Sequence, residues 1–242
     1  MSDVNCDGLS GAGGWTAPGG GQEQITSAAN NPGGGGGKGQ RHWMGDGVNQ
    51  VSGSMKLPLP SPQTELRIRW YMRHEAGFAW QSLTNNKIVY IDPVGTGATK
   101  TIMEYSGMGK VQVWSYGGGG GCGNQVGCAS ADGTGWQAIM GGSVSDGMWH
   151  VWEVHLKMDT NGADGIVELW IDNNKLIDVT NADLGTTTFN EIQFGSNGFT
   201  PQNGKDMYID FDDIAVTNDP NNRIGSLLDS LAPSNPTVLI AN

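Results

Sequence analysis

The chain has 242 residues, a length that suits one large all-β domain and leaves little room for several. Acidic residues outnumber basic ones 24 to 13, for a formal net charge of −11. That balance excludes long-range attraction to nucleic acid or to an anionic membrane surface, and no apolar run is long enough to span a bilayer.

Residues 1–40 are dominated by Gly, Ser, Asn and Pro, as in GAGGWTAPGGG and NNPGGGGGKG. This is the composition of a linker. Trp15 within it is expected to pack part of the segment on the domain, and the segment is a candidate for self-assembly. The pattern changes at Arg41, where a β-domain spanning 41–218 is expected to begin. RHWMGDGVNQVSGSMKLPLP predicts two short strands around Gly45, Asp46 and Gly47. The clearest strand follows at residues 64–74. Leu66, Ile68, Trp70 and Met72 fall on one side, and Glu65, Arg67, Arg69, Tyr71 and Arg73 on the other.

Shorter strands are expected at 87–92, 100–105 and 110–116, the last two joined across Gly107–Gly109. A glycine-rich loop then carries Cys122 and Cys128, whose spacing favours a local disulfide in an oxidising compartment; Cys6 is left over. Residues 148–172 read as a β-hairpin. Trp152, Val154, Leu156 and Met158 alternate with Glu153, His155 and Lys157, and Val167, Leu169 and Ile171 alternate with Glu168, Trp170 and Asp172. Further strands are expected at 175–180, 189–195 and 207–217. The tail, 219–242, permits a short amphipathic helix over 222–231.

About a dozen short strands, with no strand–helix alternation, imply an all-β fold: a two-sheet antiparallel jelly-roll sandwich. The polar faces of the strands then carry the chemistry. Keeping both apolar faces of the central hairpin on one side places Lys157 opposite Ile166, His155 opposite Glu168, and Glu153 opposite Trp170. A carboxylate beside His155 would fix its tautomer and favour its charged form, as general acid or base work requires. Catalytic candidates are His155, Tyr71, Arg67, Lys87 and Glu168; substrate-binding candidates are Arg69, Arg73, Trp114, Glu153, Lys157 and Trp170. Arginines neutralise carboxylates, Tyr, His and Lys move protons, and tryptophans stack on sugar rings. The paired-carboxylate spacing of a retaining glucanase is missing. No cofactor is expected beyond a structural calcium ion. Asp210 and Asp212 are the candidate ligands, with Asp159–Asp164 a looser alternative.

Three stretches together resemble the concanavalin A-like lectin/glucanase superfamily, nearest to its jelly-roll polysaccharide lyases. They are TELRIRWYMRHEAGFAW followed by NNKIVYI, GMWHVWEVHLKMDTNGADGIVELWIDNNKLID, and YIDFDDIAVTN. The resemblance covers residues 41–218. It implies a concave sheet as a sugar site, lined by Arg67, Arg69, Tyr71, Lys87, Trp114, Glu153, His155 and Trp170. The lyases' full catalytic signatures are not matched. The expected function is therefore a lectin-like, polysaccharide-binding domain. A polysaccharide lyase or glycoside hydrolase is the enzymatic alternative, and a structural or adhesive subunit of an extracellular assembly or virion is the third. The Trp- and Gly-rich composition leads to the expectation of a protein outside the cell or on a cell or virion surface, either with its export signal removed or exported by another route.

Overall fold

In the computed structural model the described residues are 23–34, 37–49, 53–80, 86–92, 101–106, 110–115, 125–129, 135–196 and 201–224. They form thirteen strands, one short α-helix and a 3-10 turn at Ser27–Ala29: β1 Glu23–Thr26, β2 Gly39–Trp43, β3 Gly53–Gln63, β4 Glu65–His74, β5 Asn86–Asp92, β6 Thr101–Ser106, β7 Lys110–Ser115, β8 Gln125–Ala129, α1 Trp136–Ile139, β9 His150–Lys157, β10 Gly165–Ile171, β11 Asn174–Ala182, β12 Phe189–Ser196 and β13 Tyr208–Thr217. All strand pairings are antiparallel. One sheet has the order β1-β2-β13-β4-β9-β10-β11 and the other β3-β12-β5-β6-β7-β8. This is the expected two-sheet jelly-roll sandwich.

Period-two alternation builds the core. Leu66, Ile68, Trp70 and Met72 of β4 are buried beside Trp152, Val154 and Leu156 of β9, Leu169 and Ile171 of β10, and Ile209 and Phe211 of β13. Trp70 stacks on Trp152 at 6.1 Å between ring centroids and meets the edge of Phe194 from the opposite sheet at 5.4 Å. These large rings bridge the two sheets. Gly127 of β8 lies against β10 and β11; a Cβ there would sit 2.3 Å from Ile177 Cγ2, so the sheets approach this closely only with glycine. On edge strand β3, prolines 58, 60 and 62 recur at every second residue. That phase removes N–H donors from one side of the strand and discourages pairing with another chain.

Two hairpin turns set the register around the site. Asp172 (φ 50°) and Asn173 (φ 64°) both have left-handed backbones and form the two-residue link between β10 and β11, the geometry that matches strand twist. Between β9 and β10, Asp159 Oδ1 accepts from Gly162 N at 2.6 Å, and Asp164 accepts from both the backbone N and Oγ1 of Thr160. These carboxylates serve the turn, which explains the calcium-loop likeness of this stretch.

The division expected at residue 40 falls inside β2. Glu23–Thr26 pairs with β2, so the latter half of the glycine-rich segment is an integral edge of the seven-stranded sheet. Its strand-forming residues are short runs between glycines, and pairing partners far along the chain decided their conformation. Residues 136–139 form helix α1 on the way into the hairpin. The expected helix at 222–231 and the positions of Cys6, Trp15 and Cys122 lie largely or wholly outside the described residues; Cys128 is on β8, half-buried.

The loop before β9 is fastened by charge. His150 Nδ1 lies 2.6 Å from Asp172 Oδ2, and its Nε2 lies 3.3 Å from Asp146. Burial alone would lower the pKa of His150, but the two carboxylates outweigh it and raise it. A raised folded-state value means the contribution to stability is full below the ordinary histidine pKa, about 6.5, and fades as pH rises through the folded value.

Two outcomes are expected from this packing. Trp70→Ala should lower unfolding free energy by about 3–5 kcal/mol in urea denaturation, because neither neighbouring ring can collapse into the cavity. Melting temperature followed from pH 6 to pH 9 should fall more for wild type than for His150→Gln; parallel curves would show that the imidazolium contributes nothing.

Candidate functional site

The outward face of the seven-stranded sheet carries cross-strand rows of polar residues. The first runs Thr217, Arg67, His155, Glu168, Asp178 across β13, β4, β9, β10 and β11. The second runs Ala215, Arg69, Glu153, Trp170, Lys175, and the third pairs Asp212, Tyr71 and Val151. The last joins Arg41, Asp210 and Arg73 across β2, β13 and β4. The hairpin register is the one its apolar pattern requires. The rows span about 20 Å along β4, from Arg67 to Arg73.

Between the second and third rows β13 changes phase. Phe211 and Ile214 both face the core, three residues apart, with Asp213 at φ 48° and a bulge between Asp212 and Ala215. The extra residue keeps Asp210 and Asp212 outward on one side of the bulge and Ala215 and Thr217 outward on the other.

One half of this face is closed. His155 is clamped between Glu168 Oε2 at 2.6 Å from Nδ1 and Glu65 Oε1 at 2.7 Å from Nε2. Glu168 also accepts from Lys175 Nζ at 2.6 Å, and Lys175 reaches Asp178 at 2.6 Å. Burial would raise the Glu168 pKa, but Lys175 and His155 hold it below the ordinary range. Residues 219–224 then cross over β4, β9 and β10 as a strap. Arg67 Nη2 donates to Pro220 O at 3.1 Å, Arg223 donates to Glu153 Oε2 at 3.2 Å, and Ile224 N donates to Glu153 Oε1 at 3.1 Å. The Arg223 guanidinium lies 4.5 Å over the Trp170 ring, with Lys175 Nζ at 5.3 Å. Trp170 is only 7% exposed and Glu153 2%.

The other half is open. Asp210, with no exposed surface, is gripped by Arg41 Nε at 2.7 Å and by Arg73 through Nε at 3.1 Å and Nη2. The Asp210 hydrogen bond holds the Arg41 pKa above its ordinary value. Both guanidiniums also donate to Ala28 O. Neither Nη1 has a hydrogen-bond partner among the described residues. Arg41 lies 4.9 Å over the ring of Tyr208, and Arg73 lies 4.8 Å over Trp149. A cavity of about 430 Å³ opens here, lined by Arg73, Glu75, Ala76, Gly147 and Met207. Burial raises the Glu75 pKa against the pull of Arg41. Met148, beside Trp149, is 62% exposed. Tyr71 lies between the two halves, its hydroxyl accepting from Arg69 Nη2 at 3.3 Å.

The residues singled out by sequence are therefore divided. Arg67, Arg69, Tyr71, Arg73, Glu153, His155, Lys157, Glu168 and Trp170 share one face. Lys87 is on β5 and Trp114 on β7, both in the six-stranded sheet, so the core separates their strands from the rest. Asp210 is not placed to hold calcium: guanidiniums take both of its oxygens, and their charge repels a cation. Asp212 Oδ2 accepts from Asn31 N at 2.7 Å. Among the described residues no group of three or more His, Cys, Asp or Glu could hold a metal. Arg41, Glu75, Trp149, Tyr208 and Arg223 were missed. For Arg41 and Tyr208 the only signal was strand phase, since each shares the outward phase of a neighbour that faces Arg73; Glu75, Trp149 and Arg223 lie outside the strands and had none.

No protein-family model matches the chain, and no curated protein matches it. Solved structures do match. Endo-beta-1,4-glucuronan lyase from the fungus Trichoderma reesei aligns with TM-score 0.60 at 14% identity, over 86% of this chain and 92% of that one. Cellulose induced protein, Cip1, aligns with TM-score 0.59 at 13% identity, over 89% and 96%. An alginate lyase mutant in complex with alginate trisaccharide aligns with TM-score 0.53 at 13% identity, over 84% and 86%. Likeness at this identity speaks for the fold alone. The chain therefore shares the two-sheet antiparallel jelly-roll fold of these structures.

Proposed function

We propose that the protein binds an acidic polysaccharide at the open end of its seven-stranded sheet, as a lectin-like domain acting outside the cell or at a cell or virion surface. The observation that carries this reading is the Arg41–Asp210–Arg73 unit. One buried carboxylate fixes two guanidiniums beside a cavity, and each keeps an Nη1 donor unused among the described residues. Such donors suit a sugar carboxylate, whose charge-assisted bonds are the strong ones. Tyr208, Trp149 and exposed Met148 supply apolar surface for the faces of sugar rings. The net charge of −11 opposes a polyanion at long range, so binding should rest on these local arginines. The neighbours named as glucuronan and alginate lyases are consistent with such a ligand.

β-Elimination is a second reading. Beside the arginines, the half-buried Glu75 carboxyl with its raised pKa and the Tyr208 and Tyr71 hydroxyls are groups able to move a proton near a neutralised uronate. Ultraviolet absorbance of unsaturated uronate ends, followed on alginate and glucuronan, separates the two readings: a steady rise means cleavage, and a flat trace with binding means a lectin-like domain.

Calorimetric titration with alginate and glucuronan oligosaccharides, and with a neutral cello-oligosaccharide as control, tests the site itself. Acidic oligomers should bind and the neutral one should not. Arg73→Ala should weaken binding about 10- to 100-fold, the equivalent of one charge-assisted pair. Arg73→Lys should recover part of the loss, because it restores the charge without the fork. Equal binding by wild type and Arg73→Ala would remove this site from consideration.

A further inference from the structure

The strap 219–224 lies where a polymer crossing the strands would lie, and its side chains stand in for one. Arg223 covers the Trp170 indole at 4.5 Å, as a sugar ring would, and it meets Glu153 as hydroxyls would. Yet the fit is incomplete. Arg67 is 7% exposed, and its Nε and Nη1 are buried with no hydrogen-bond partner among the described residues; Glu153 Oε1 lies 3.9 Å from Nη1. Buried donors left unsatisfied are costly, so an occupant bringing acceptors to Arg67 would fit this row better than the strap does. The strap is also built to leave as a unit. It is not part of either sheet. Its turn is closed by its own residues, Asn221 N donating to Asp219 Oδ1 at 2.8 Å and Asn222 Nδ2 to Asp219 Oδ2 at 3.0 Å, while Asp219 N donates at its start to Thr217 Oγ1, at the end of β13, at 3.1 Å.

We infer that Arg67, Arg69, Glu153 and Trp170 form a second glycan-binding row, for a sugar bearing carboxylates or hydroxyls, which the strap occupies until a polymer displaces it. The inference rests on the binding reading above and extends the site from the open end toward Arg67. Short oligosaccharides reach only the Arg41–Arg73 end. Longer ones compete with Arg223 for Glu153 and Trp170 and bring acceptors to Arg67. Apparent affinity for long chains is then the intrinsic affinity reduced by the fraction of molecules in which the strap is open.

The test uses the full chain and two readouts. Amide hydrogen exchange without sugar should show Ile224 opening at least about tenfold more often than the core amides of β4 and β9, as a local unit does. Exchange of Ile224 only together with that core would overturn the inference. Calorimetric titration with size-graded alginate oligosaccharides then compares wild type with Arg223→Ala, and with Arg223→Gln as a more conservative second variant. Both variants should bind long oligomers about tenfold more tightly than wild type, with trisaccharide affinity unchanged, if the strap is open about a tenth of the time. Trisaccharide binding without any gain for long chains overturns the second row alone. Failure of every oligomer to bind wild type or variants overturns the binding reading and this extension together.

Discussion

Strand β4 has one permitted phase, and the rest of the molecule is arranged around it. Its even-numbered residues Leu66, Ile68, Trp70 and Met72 are sealed in the core, and its odd-numbered residues carry three guanidiniums and a phenol outward. A slip of one residue would turn Arg67, Arg69 and Arg73 into the core and put Leu66, Ile68, Trp70 and Met72 on the polar face, so the register with β9 and β13 is fixed strongly. Trp70 on Trp152, with Phe194 at its edge, then ties the two sheets together. Because β4 is central, its outward residues meet partners on both sides, and every polar row on the face is a consequence of that single phase.

An outward face would normally be solvated, but here it is filled with paired charge. Asp210 is fully buried between two arginines, Glu153 is held by Arg223 and faces Arg67, and His155 lies between two glutamates. Breaking such a pair leaves a lone buried charge and costs several kcal/mol, whereas the intact pair adds little. Arrangements of this kind therefore orient groups more than they stabilise the fold. At the open end the result is a rigid pair of guanidiniums with spare donors. At the closed end the pairs are completed by a segment outside both sheets, so order there depends on whether that segment stays.

The likeness to glucuronan and alginate lyases reaches the sandwich and stops there. At 13–14% identity the strands superpose while side chains are free to differ. A jelly roll supplies a wide polar sheet face, and many chemistries have been placed on such faces. The site in this chain therefore has to be judged by its own residues. Those residues offer fixed cations, aromatic faces and a cavity at one end, and a self-occupied row at the other.

The sequence alone determined the sandwich, because period-two alternation of apolar residues has one physical meaning over strands this regular. It also determined the hairpin register that sets His155 against Glu168, since only that register keeps both apolar faces on one side. Strand phase does not say which sheet a strand joins. That is why Lys87 and Trp114 were grouped with residues from which the core divides their strands. Nor does it foresee the bulge in β13, where one added residue resets the alternation after Asp212. Local composition mistook Glu23–Thr26 for linker, because pairing with β2 decides its conformation. Only the tertiary structure could join Arg41 to Asp210, 169 positions away, or lay Arg223 across Trp170. Contacts between segments so distant in the chain are set by packing, and no local pattern records them.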